Sequence, residues 1–303
     1  MRGGVLLTLL LLAPVAAQAQ APLKQSEWLP KGSTAAGDLL HRPREALEGG
    51  ANQNFYVEFG RLAFRSPEIL GGNARRAGLS CNACHVNGDT NARFFAPGLS
   101  DRPGEIDVTH ALWNLRGEDG AHNPPTIPTL RNVATKPRLG HDGRVASLRE
   151  FARSVIVTEF AGTEPSPLVL DALTAYMTRL RTPPPGEESV SLATDLADFD
   201  RDLKVLRVAL LDEDAALTEL TVRMIRGQIG FIAERFHKPA HDAARAALAD
   251  WVDRLRGVER LAQAGDFPAA RKLADGFPPA PQVLRDAEAT SLYDAVTVQR
   301  ELR

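Results

Sequence analysis

The segment that most constrains this chain is Cys81-Asn82-Ala83-Cys84-His85, which holds both cysteines of the 303 residues. Cys-x-x-Cys-His is the attachment signature of a c-type haem, and the spacing has a chemical reason. Two thiols about one helical turn apart reach the two vinyl groups along one porphyrin edge as thioethers. The adjacent imidazole then lies under the ring and gives Nε2 to the iron. Other uses of paired cysteines fit less well. A thioredoxin-like dithiol follows a strand in a βαβ unit, and no strand pattern flanks Ser80. Structural zinc takes four ligands, and no second Cys or His pair stands at finger spacing. A plain disulfide leaves His85 without a role. The motif predicts one covalent haem c on Cys81 and Cys84, with His85 as the proximal iron ligand.

Composition narrows the setting. A hydrophobic fraction of 44% with 24% charged residues is ordinary for a globular chain, which excludes wholesale disorder. A formal net charge of −2 argues against a nucleic-acid partner. Met1 and Arg2 precede an apolar run, Val5 to Leu12, that closes in Ala17-Gln18-Ala19. This has the three-part form of a secretory signal peptide over residues 1–19. The run is too short to span a bilayer, and no other stretch reaches spanning length. The expectation is a periplasmic protein, exported and soluble, with no membrane span.

Periodicity divides the rest. Residues 20–50 read as an N-terminal arm, and 51–181 as a haem domain opening on a helix from Asn54 that Pro67 limits. Turn formers crowd Asn87 to Asn132, as in long loops around a cofactor. Helices are expected over Leu148–Val157 and Leu168–Leu180. Thr182-Pro183-Pro184-Pro185-Gly186 then starts a linker over 182–190. Residues 191–303 carry apolar stripes at helical spacing and read as an antiparallel bundle, with a final helix over Val283–Arg300. The fold class expected is all-α, a cytochrome c-type domain followed by a helical bundle.

Downstream of the motif, Thr129-Leu130-Arg131-Asn132-Val133, then His141-Asp142-Gly143-Arg144 and Ser147-Leu148, resemble a known pattern. They are similar to the second, electron-transfer haem domain of the bacterial di-haem cytochrome c peroxidase family, with its methylamine-utilisation relatives. The resemblance covers about 54–180. It implies a cytochrome fold with His141 beside the haem or its propionates. The family carries two haem motifs and this chain one. Where the family often places a Met or Tyr ligand, some fourteen residues past His141, this chain has Val155.

The remaining site residues follow from chemistry. Arg131 and Arg144 suit haem propionates, because guanidinium binds carboxylate in a two-pronged way. The distal position stays open among His110, His122, Met177 and no protein ligand. Met177 also fits as a core residue of its helix. The function expected is single-electron transfer between periplasmic redox partner proteins, with the bundle available for docking or a homodimer. The alternative is a peroxidase-like enzyme acting on hydrogen peroxide through an open iron or a second haem from a partner. A gas or redox sensor is a third reading.

Overall fold

A computed structural model describes residues 39–50, 53–140 and 143–301. The expected signal peptide and His141 lie outside the described residues. The fold is all-α, and among the described residues strand is limited to two three-residue pieces. No helix there is long and apolar enough to cross a membrane.

Helix α1, Phe55–Arg65, opens where the Asn54 side chain accepts a hydrogen bond from the Val57 amide, and stops at Ser66-Pro67. After the short helices α2 (Gly72–Arg76) and α3 (Cys81–Cys84), the chain runs through loops until α4, Leu148–Ser154. Helix α5, Pro167–Arg179, is capped by Ser166 with proline in its first turn. Helices α1 and α5 form the spine of this half. At Gly60 a Cβ would lie 1.9 Å from the Ala172 carbonyl oxygen, so only glycine permits so close an approach. Phe64 and Tyr176 pack across the same seam with ring centroids 5.2 Å apart.

The C-terminal half turns back on itself through short connections. Helices α6 (Leu192–Ala209), α7 (Ala215–Glu234), α8 (Asp242–Gln263) and α9 (Phe267–Asp275) follow one another. Side-chain caps at Ser191, Asp214 and Asp266 mark three of the starts. Phe199 of α6 stacks on Trp251 of α8 at 4.4 Å. Nearly all the buried apolar residues form one continuous cluster across both halves.

Two expectations change. Residues Glu187–Ser189, inside the expected linker, form β2 and pair antiparallel with β1, His41–Pro43, in the expected arm. Arg42 secures the pairing through a 2.6 Å bond to Glu188. The last segment is two helices, α10 (Gln282–Glu288) and α11 (Ala295–Glu301), rather than one. The Thr290 and Ser291 hydroxyls donate to the carbonyls of Ala287 and Glu288, which competes with helix continuation. The break lets the Leu292 amide reach the Arg235 carbonyl and the Tyr293 hydroxyl reach Asp195.

A buried charge network joins the halves. Arg61 binds Glu45 at 2.8 Å and Asp198 at 2.6 Å, while Arg65 binds Asp198 at 2.8 Å and Glu45 at 3.1 Å. Tyr176 adds a hydroxyl bond to Glu45. Burial alone would raise the Glu45 carboxyl, but Arg65 and Arg61 outweigh it and hold it near about 2. Asp198 is likewise held below its ordinary range, against burial, by Arg65, Arg61 and Arg42.

Removing one member leaves buried charge unpaired, so Asp198→Ala should lower the unfolding free energy by about 3–5 kcal/mol in urea titrations. Because both carboxyls are depressed, their stabilisation is complete above their unfolded values near 4. It is lost as pH falls towards about 2, and the urea midpoint should drop across that window.

Candidate functional site

The single turn of α3 carries the motif. His85 donates its backbone amide to the Cys81 carbonyl, so both thiols and the imidazole come from one tight turn. Past His85 the backbone doubles away through Asn87 (φ 52°) and Gly88 (φ 80°). A Cβ at Gly88 would lie 2.6 Å from the Leu180 side chain, which makes glycine the fitting residue on two counts.

Cys81, Cys84 and His85 all line one cavity of about 430 Å³, within the range of about 300–1,000 Å³ usual for cofactor and ligand sites. Its walls are mainly apolar. Phe64 comes from α1, Leu173 and Met177 from α5, Leu148, Phe151 and Ala152 from α4, and Ile127, Leu130 and Val133 from the long loop. Helix α4 runs on into a π-helical turn, Val155–Glu159, whose Val155, Ile156 and Glu159 complete that side. Val155 faces the cavity as part of its apolar wall.

One hydrogen bond orients the imidazole. His85 Nδ1 lies 2.9 Å from the Pro128 carbonyl oxygen. A carbonyl only accepts, so Nδ1 carries the proton and Nε2 keeps its lone pair. Burial lowers His85 to about 4, which keeps the ring neutral. Burial also raises both thiols to about 12, so they are protonated and poor thiolates. Among the described residues there is no cluster of three or more His, Cys, Asp or Glu side chains able to hold a metal ion. The site therefore combines two neutral thiols, one imidazole lone pair and apolar walls.

The loop that supplies Pro128 is anchored to the motif. Leu130 donates its amide to the Gly88 carbonyl, and Asn132, itself in left-handed geometry at φ 57°, donates to the Leu180 carbonyl. Arg131 belongs to this anchor. Its guanidinium binds Asp89 at 2.5 Å and the Arg44 carbonyl at 3.1 Å. It is not among the residues that line the cavity; Asp89, two residues beyond Asn87, holds it beside the motif. Arg144 is exposed and also off the wall. The cations that do line the cavity are Lys136 and Arg138.

The distal candidates separate clearly. His110 uses Nδ1 to accept the Leu112 amide in a local turn, and His122 donates Nε2–H to Asp101. Neither ring lines the cavity. Met177 does, on the buried seam between α5 and α1.

Three wall residues escaped the sequence reading. Lys136 and Arg138 follow the Thr-Leu-Arg-Asn-Val segment directly, where attention to a cation three to five positions past Val133 would have found them. Glu159 continues the spacing Phe151, Val155 by four more residues, so a carboxylate in register with an apolar stripe was its signal.

Compared with known proteins, the chain matches no family model, no curated protein and no solved structure.

The two arginines should differ in kind. Arg131→Ala removes a charge-assisted anchor and should cost about 1–3 kcal/mol in chemical unfolding. Exposed Arg138→Ala should stay within about 0.5 kcal/mol.

Proposed function

We propose that this chain is an exported mono-haem c-type cytochrome that passes single electrons between redox partner proteins. The observation that carries the reading is the His85 Nδ1–H bond to Pro128, which leaves Nε2 directed by its tautomer for metal binding beside Cys81 and Cys84. A haem bound there supplies one-electron chemistry at iron.

The chain's own residues divide the remaining tasks. Cys81 and Cys84 would hold a haem as thioethers, and neutral His85 would give its lone pair without first losing a proton. The apolar faces of α1, α4 and α5 exclude water from the ring. Lys136 and Arg138, on the wall, suit the propionates as charge partners. The resemblance to the electron-transfer domain of the di-haem peroxidase family over 54–180, with one haem motif, agrees with an electron carrier. Periplasmic export rests on the signal-peptide form of residues 1–19.

Expression alongside haem-attachment machinery, followed by denaturation and reduction, tests the proposal. The denatured chain should keep a c-type α-band, which Cys81→Ala/Cys84→Ala should abolish. An α-band that washes out with denaturant contradicts it. Among His110→Ala, His122→Ala and Met177→Ala, only the last should alter the spectrum of the folded protein, because only its side chain lines the cavity. A resting iron that is high-spin and binds cyanide would replace electron transfer with the peroxidase-like reading.

A further inference from the structure

Glu159 is the only acidic side chain among the described residues of the cavity wall. It ends the π-helical turn, and its carboxyl is half-buried with no hydrogen bond or ion pair to any described residue. The backbone around it is pinned. Asn114 donates to the Thr158 carbonyl at 2.5 Å, Gly71 donates to the Phe160 carbonyl, and the Phe160 ring packs on Trp113. A π-turn inside a helix recurs at functional positions.

Most charged groups on neighbouring elements are engaged with other partners. On α4, Arg149 binds Asp171 and Arg153 binds Glu164. In the preceding loop, Glu118 accepts the amides of Ala111 and Gly120, and Arg116 lies close by in sequence. Below the turn, Glu68 is held by Arg75 and Arg223. Glu150 is exposed on α4. Facing the cavity itself are His85, the two thiols, Lys136 and Arg138. None of these bonds Glu159, and burial alone raises its carboxyl to about 7.

We infer that Glu159 is the proton site of the cavity, taking up one proton when the cavity's redox centre gains an electron and releasing it when that electron leaves. The inference rests on the haem reading above. The balance is simple. One electron arrives from the donor protein, one proton comes from solvent to a Glu159 carboxylate oxygen, and both depart on reoxidation. Net charge inside the apolar walls is then unchanged. The physical cause is that an added electron disfavours a nearby carboxylate that has no counter-cation.

The test is the midpoint potential of the haem-loaded, full-length protein between pH 5 and 9, in wild type and Glu159→Gln. Wild type should fall with pH near neutrality, by up to about 59 mV per unit for one electron. The glutamine variant, nearly the same in shape but unable to ionise, should be flat. Redox-difference infrared spectra should show a carboxyl C=O band in wild type that the variant lacks. A flat wild-type potential, or equal slopes in both proteins, overturns the role of Glu159 while leaving the haem reading intact. Absence of any redox couple from both proteins overturns the haem reading and this inference together.

Discussion

The site turns on the contact from the His85 ring to the Pro128 carbonyl. It sets the imidazole tautomer, and without it the motif would present an unoriented ring to the cavity. A backbone acceptor cannot rotate away as a side chain can. Its position depends on the loop that bears it, which is why Leu130, Arg131 and Asn132 are all bonded back to the motif, the arm or the end of α5. The motif and the loop lie more than forty residues apart in sequence, yet they behave as one clamp.

That clamp is braced from behind by charge. Asn87, two residues past His85, accepts from Arg65 at 2.6 Å and donates to the Pro43 carbonyl at 2.8 Å. Arg65 in turn is neutralised by Glu45 and Asp198, so a helix of the C-terminal half balances a cation that touches the motif's own turn. The helical half therefore contributes electrostatic support as well as packing. Without it, Arg61 and Arg65 would keep only Glu45 of their two carboxylate partners.

Much of this was legible beforehand, and the reasons for the misses are physical. The Cys81-to-His85 spacing and the apolar periodicity of the long helices are local signals; those helices stand where expected, and the three motif residues line one cavity. Polar residues in loops carry no such signal. Arg131 pairs with Asp89 because of how the loop folds back, and His122 meets Asp101 for the same reason; only tertiary placement decides these partners. The short β1–β2 pairing joins segments about 146 residues apart, beyond any local pattern. The break between α10 and α11 comes with the Thr290 and Ser291 hydroxyls bonding back to Ala287 and Glu288, and with contacts to Arg235 and to Asp195 of α6 that helical periodicity does not encode.

The most direct test of the central claim is peptide mass analysis of the exported protein after trypsin. Cleavage after Arg76 and Arg93 releases the segment that contains Cys81, Cys84 and His85. The account requires this peptide to carry one haem bonded to both sulfurs. Recovery of the same peptide with two free thiols or a simple disulfide, from cells competent to attach haem, would contradict it.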